Sequence, residues 1–227
     1  AQKPTYAACK ALIHLSQFIY NTRSQMLILG GRIGAGGNMR QINYSDSDWG
    51  GDSATRKSRS GGIEFIGDGP VLWWSKLQTI IAASTLQAEH IAATIAAQNA
   101  RYIRNIVNFA NIPGVRYEHA SILYIDNMAA VSVSNNPTHS KMTKSMALKW
   151  YTLMECVERG EISTYWISTK ENSADLQTKN VTPDIFEREW RRQMGMTKVP
   201  LPEHYKDVKT KVDDVLECPR CSKSPHL

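Results

Sequence analysis

The sequence predicts an α/β domain built on a mixed five-stranded sheet flanked by helices, and three observations carry that expectation. Three short strand patterns follow one another within residues 41–75, two of them joined by the turn sequence Gly67-Asp68-Gly69-Pro70. A long helical pattern over residues 86–109 comes next, and after it a short, wholly apolar strand, Ile122-Leu123-Tyr124-Ile125. Helical and strand patterns then alternate as far as residue 194. Meander strands followed by alternating helices and strands pack as helical layers on a mixed sheet. A hydrophobic content of 42% over 227 residues suffices for the core of one large domain with appendages.

In chain order, residues 5–20 form the first predicted helix: Ala8, Leu12, Leu15 and Ile19 recur at three- and four-residue steps, and Asn21-Thr22-Arg23 ends it. Met26-Leu27-Ile28-Leu29 reads as a short strand. Gly30-Gly31 and Gly34-Ala35-Gly36-Gly37 form a flexible joint that lacks the Lys-Ser/Thr ending of a phosphate-binding loop. A boundary falls after residue 37, and residues 1–37 read as the tail of a neighbouring domain; the opening Ala1-Gln2-Lys3-Pro4, without Met, looks cut from something longer. Residues 41–45, 61–66 and 71–75 are the meander strands. The helix over 86–109 presents Ala88, Ile91, Ala92, Ile95, Ala96 and Ile103 as a small-residue apolar face, with Ser84 or Thr85 as N-cap and Asn111-Ile112-Pro113-Gly114 as its end. Beyond the strand at 122–125, helices are expected over 128–134 and 147–159, stopped by Asn135-Asn136-Pro137 and by Gly160. A strand over 162–167, a helix over 174–179 and a helix over 183–194 outside the core complete a domain spanning 38–196. Residues 197–227, poor in large apolar residues and rich in Lys, Asp and Pro, are expected to be a loosely ordered tail.

The formal charge of +6 and pI of about 9.1 allow a polyanionic partner without requiring one. The excess is diffuse, apart from a cluster at Arg56-Lys57-Ser58-Arg59. Four cysteines, two lone and two in Cys218-Pro219-Arg220-Cys221, do not make the disulfide framework of a small secreted domain. No signal peptide and no apolar run of about 20 residues is present, so a reducing intracellular compartment without a membrane span is expected.

Carboxylates stand at several element ends. The stretch Tyr44-Ser45-Asp46-Ser47-Asp48-Trp49 delivers one near the end of a strand; alternation puts Asp46 and Asp48 on one face and Asp52 follows closely, so spacing does not choose among them. Glu89 lies at the start of the long helix, Asp126 directly follows the apolar strand, and Asp175 opens a polar helix after Ser168-Thr169-Lys170-Glu171-Asn172. Each has a plain alternative: a helix-start acid favoured by the dipole for Glu89 and Asp175, a cap for Asp126. Together they are what two-metal phosphodiester cleavage needs, since two divalent cations roughly 4 Å apart require bridging and flanking oxygen ligands.

Several motifs in order resemble the ribonuclease H domain of copia-type retrotransposon Pol polyproteins. They are Tyr44-Ser45-Asp46-Ser47-Asp48-Trp49-Gly50-Gly51-Asp52, Arg56-Lys57-Ser58-Arg59-Ser60-Gly61-Gly62, and Gly69-Pro70-Val71-Leu72-Trp73-Trp74-Ser75-Lys76-Leu77-Gln78. Ala83-Ser84-Thr85-Leu86-Gln87-Ala88-Glu89-His90, Tyr124-Ile125-Asp126-Asn127-Met128-Ala129-Ala130, Ala174-Asp175-Leu176-Gln177-Thr178-Lys179 and Met194-Gly195-Met196 follow. Residues 3–30 look like the end of the reverse transcriptase that precedes this domain. The resemblance implies a ribonuclease H-like fold with the first and fourth strands adjacent. It implies Asp46, Glu89, Asp126 and Asp175 as catalytic, metal-binding acids, with Asp46 favoured over Asp48 and Asp52. The implied cofactor is Mg2+, with Mn2+ able to substitute. The implied reaction is endonucleolytic hydrolysis of the RNA strand of an RNA–DNA hybrid during reverse transcription. The implied partners are that hybrid and the reverse transcriptase of the same polyprotein; the implied location is cytoplasmic, in virus-like particles, or nuclear.

The chain departs from the pattern where Lys144-Ser145-Met146-Ala147 replaces Lys-His-Ile-Asp, Gln87 a usual Glu and His90 a usual Tyr. These departures motivate an alternative, a degenerate or domesticated module that binds nucleic acid or protein without cleavage. Hybrid binding requires contacts to 2′-hydroxyls and phosphates. Gln78, Ser84, Thr85 and Asn127 offer neutral hydrogen-bonding groups beside the proposed ligands, and Arg56, Lys57 and Arg59 offer phosphate contacts or simply a solvated loop. Of Trp73 and Trp74, adjacent on a strand, one is expected to face the core. His90, His119, His139 and His204 are scattered and carry no assigned role, and Cys218, Cys221 and His226 make only half a zinc site.

Overall fold

The computed structural model describes residues 5–30, 40–111, 117, 119–135 and 144–202. Its centre is one five-stranded sheet in the order β3-β2-β1-β4-β5. β1 (Gln41–Asp48), β2 (Arg59–Ile66) and β3 (Gly69–Leu77) form the antiparallel meander. β4 (Ser121–Ile125) adds to β1 in parallel, and β5 (Ile162–Trp166) adds to β4 in parallel. The mixed sheet and the adjacency of first and fourth strands are therefore as expected.

Both faces of the sheet are covered. On one face α2 (Thr85–Ala110), α3 (Met128–Asn135) and α4 (Lys144–Glu158) enclose Ala93, Ala96, Ala97, Leu123, Ile125 and Leu153. The alanine face of α2 lets its backbone sit close to the strands, which brings the first turn of that helix to the sheet's end. Ser84 caps α2 by accepting from Gln87 N–H at 3.2 Å, and Gln87 Oε1 accepts in turn from Ala83 N–H at 2.6 Å. Asn111, in the left-handed region at φ 45°, ends it. On the opposite face lie Ile42, Tyr44, Ile63, Phe65, Ile122 and Tyr124. α5 (Asp175–Thr178) packs on this side, and α6 (Pro183–Gln193) is hydrogen-bonded to the loop ahead of α5 through Ser173. Trp74 packs against the α2-side core while Trp73 stays exposed, dividing the pair as alternation requires.

Two expectations are corrected. Residues 25–30 join no strand ladder; Ile28 N–H donates to the Met194 carbonyl at 2.9 Å, an isolated bond at the end of α6. α1 (Tyr6–Thr22) forms as expected, capped by Thr5, and its periodic apolar residues Leu12, Leu15 and Ile19 are exposed. α6 lies outside both apolar clusters as expected, although its Glu189 is fully buried in polar contacts with Ser173 and Arg192. Val199 and Leu201 pack on the Tyr44 side of the sheet, so packed chain continues past Met196. Residues 203–227, including His204, Cys218, Cys221 and His226, lie outside the described residues, as does His139.

Candidate metal centre

The parallel pairing of β1 and β4 sets the site. Ser45 is opposite Ile125, so the next residues along, Asp46 and Asp126, emerge side by side at the same end of the sheet. Ends of parallel strands are where side chains converge without blocking the ladder. Glu89, in the second turn of α2, arrives from the helical face. One carboxylate oxygen from each of Asp46, Glu89 and Asp126 lies within 4.8 Å of the others. Asp175 approaches from the other side of Asp46 on α5 but is not within that triangle.

Each acid is held by neighbours. Ser47, alternating to the helical face, fixes Glu89 Oε1 through its backbone N–H (3.1 Å) and hydroxyl (2.7 Å). Thr169 donates to Asp126 Oδ2 at 3.0 Å. Thr178 donates its hydroxyl to Asp46 Oδ2. Lys179 places its ammonium 3.0 Å from Asp175 Oδ1 and 3.6 Å from Asp46 Oδ1. Glu89 Oε2 is buried and accepts no hydrogen bond.

The electrostatics follow from this crowding. Burial, then the nearby Asp46 and Asp126 charges, push the Glu89 carboxyl well above its ordinary pKa. Burial and Asp46 raise Asp126, and burial and Asp46 raise Asp175 to about 6 against the pull of Lys179. Burial works against the Lys179 charge, but Asp46 and Asp175 outweigh it and hold its pKa above the usual lysine value. A deficit of positive charge at buried oxygens, one of them lacking any donor, fits a hard divalent cation.

Of the other candidates, Gln78 is a buried bridge whose amide donates to Ser60 Oγ at 2.8 Å and to the Ala88 carbonyl at 3.0 Å, so its nitrogen is turned inward. Ser84 and Thr85 are exposed at the head of α2. Asn127 is half-buried and caps α3 by accepting from Ala130 N–H. Arg56, Lys57 and Arg59 lie on or beside the turn after β1, with Arg56 exposed at φ 57°. Asp48 accepts from Arg59 N–H and lies outside the Asp46–Glu89–Asp126 cluster. His90 is buried in α2. Sequence reasoning passed over Ser47, Thr169, Thr178 and Lys179 as supports. The Asp175–Lys179 spacing of i,i+4 was the available signal for Lys179, while Ser47 and Thr169 become visible only once strands and loops are placed.

Fold and site together define an α/β domain with a carboxylate centre at the ends of two parallel strands. No family model matches the chain. Over 144 residues, 63% of its length, it is 32% identical to the retrovirus-related Pol polyprotein from transposon TNT 1-94 of Nicotiana tabacum. It is 25% identical over 197 residues, 87% of its length, to the Pol polyprotein from transposon RE1 of Arabidopsis thaliana. The chain spans 10% of the first and 13% of the second. Among solved structures it is similar to RNase H1 from Halobacterium salinarum NRC-1, with 17% identity and a TM-score of 0.45 over 61% of this chain and 94% of that one. Its homologues are thus retrovirus-related Pol polyproteins of copia-type transposons.

Proposed function

We propose that this domain is a divalent-metal-dependent ribonuclease H, hydrolysing the RNA strand of RNA–DNA hybrids within a transposon Pol polyprotein. The single observation that carries the reading is the triangle of Asp46, Glu89 and Asp126 oxygens within 4.8 Å, with Glu89 Oε2 buried and undonated. Glu89 and Asp126 would hold one Mg2+ or Mn2+, Asp175 a second, and Asp46 both. Bound there, the ions would lower the pKa of a coordinated water and stabilise the departing 3′ oxygen.

The chain's own groups do the rest. Ser47, Thr169 and Thr178 fix the carboxylates so that little reorganisation accompanies binding. Arg56, Lys57 and Arg59 supply positive charge for hybrid phosphates, and Ser84, Thr85 and Asn127 present neutral polar groups near Glu89 and Asp126 for sugar contacts. Residues 1–37 are read as the remnant of a preceding polymerase, and the reverse transcriptase of the same polyprotein is the proposed partner. Among the described residues no helix is long and apolar enough to cross a membrane.

The test is cleavage of a hybrid labelled on its RNA strand, in Mg2+, by the purified chain and by Asp126→Asn. Internal cuts leaving 5′ phosphates, lost in the variant, are expected. Binding of the hybrid without cleavage would leave the non-catalytic module as the better description, and shortening only from strand ends would indicate an exonuclease.

A further inference from the structure

The acid centre already contains a cation of its own. Lys179 Nζ stands between Asp46 Oδ1 (3.6 Å) and Asp175 Oδ1 (3.0 Å), while Thr178, its chain neighbour, occupies Asp46 Oδ2. No other lysine or arginine among the described residues is within ion-pair distance of the four acids. The ammonium thus covers the Asp46–Asp175 half of the centre and leaves the Asp46–Glu89–Asp126 half uncovered. A helix-surface pair four residues apart would be the ordinary explanation for Asp175–Lys179. It does not explain why the same ammonium reaches Asp46, a buried acid on a different element with 1% exposure.

Lys179 also has somewhere to go. It lines an open cleft of about 380 Å³ with Asp48, Leu176, Gln177, Thr178 and Asn180. Its side chain is 37% exposed. A four-carbon stem can swing an ammonium into the cleft without moving the backbone of α5. A divalent ion placed between Asp46 and Asp175 would need the space and the oxygens the ammonium now takes.

We propose that Lys179 is a resident counter-cation of the Asp46–Asp175 half-site, and that it must swing out before a second divalent ion binds there, so that metal loads in a fixed order. This rests on the acid centre being a divalent-ion site. The first ion enters the Asp46–Glu89–Asp126 half without competition. The second competes with Lys179, and the departing ammonium is left in the cleft, available to a phosphate.

The test is a calorimetric titration of the metal-free chain with MgCl2 and with MnCl2, without nucleic acid. The wild type, Lys179→Gln, Lys179→Met, Lys179→Arg and Asp126→Asn are compared, with melting curves beside each. Two unequal sites are expected in the wild type. Removing the competing charge should tighten the weaker site about tenfold, a typical coupling between two ligands of one site, in both Lys179→Gln and Lys179→Met, with a larger metal-induced rise in melting temperature. Lys179→Arg should behave as the wild type. Unchanged second-ion affinity in both neutral variants, or Lys179→Arg matching them, overturns the competition while leaving the acid-site reading intact. No ion bound by any chain, or Asp126→Asn binding as the wild type does, overturns that reading and the proposal with it.

Discussion

Glu89 shows at the scale of one residue how a helix-start acid differs from a ligand. An exposed acid in the early turns of a helix gains from the dipole and keeps its charge. Glu89 is 6% exposed, faces Asp46 and Asp126, and is pushed well above its ordinary pKa by burial first and those charges second. Its charge therefore weakens the metal-free fold and gains a counter-charge only when a cation binds. Glu89→Gln should melt higher than the wild type without metal and lose the stabilisation by Mg2+; equal metal-induced shifts in both proteins would remove Glu89 from the ligand set. Ser47→Ala, which deletes the 2.7 Å hydroxyl contact that aims the carboxylate, should weaken ion binding by about 10-fold, as for other groups that orient a ligand. Titration of Mn2+ into each variant checks both.

Among the elements, α5 and α6 decide whether Asp175 can reach the centre. Asp46 is opposite Gly61 in the β1–β2 ladder, and a Cβ on Gly61 would lie 2.6 Å from Gln177 Cβ and 2.7 Å from Thr178 Cγ2. The missing side chain is the seat on which α5 rests, close enough for Thr178 to donate to Asp46. Gly61→Val should lift α5 and cost about 1–3 kcal/mol by overpacking, with the second ion lost before the first; a wild-type titration from a folded Gly61→Val chain would show that α5 is not so seated. α6 clamps the loop ahead of Asp175: buried Glu189 accepts from Ser173 Oγ at 2.5 Å and from Arg192 at 2.8 Å, and Gln193 donates to the Ser173 carbonyl at 2.7 Å. Glu189→Ala leaves Arg192, which is 12% exposed, with only neutral partners in Ser173 Oγ and the Glu171 carbonyl, and should cost about 3 kcal/mol in urea unfolding. None of this was legible in the sequence, because a charged, strongly amphipathic segment reads as a surface helix until the partners of its polar face are known. By contrast α2 was legible almost to the residue, since its cap, alanine face and terminator all agree. Met26-Leu27-Ile28-Leu29 was misread because a short apolar run fits a strand or any packed segment, and no neighbouring ladder accepts it.

For the molecule as a whole, the strand patterns gave the number of strands, but the parallel addition of β4 to β1 could not be read from periodicity and entered only with the family resemblance. Away from the acid centre, on β2, another ionisable group is buried under the helical layer. Glu64 is fully buried against α2 and is hydrogen-bonded by Gln41, whose own oxygen accepts from Ser121. Burial raises its pKa from 4.5 to about 8, against the smaller pull of Asn99 and Gln41. An unfolded chain ionises this group near 4.5 and the folded chain near 8, so between those values the fold retains a proton that the unfolded state has released. Its contribution is therefore intact below about pH 4.5 and is lost progressively as pH rises toward 8. Glu64→Gln keeps a neutral polar group of the same length and should lack this slope. Its melting temperature relative to the wild type should climb steadily from about pH 5 to about pH 8 and then level off. The comparison is made in saturating Mg2+ so that the acid centre contributes equally to both chains, and melting curves that stay parallel across the range would mean that Glu64 ionises in the fold as it does in water.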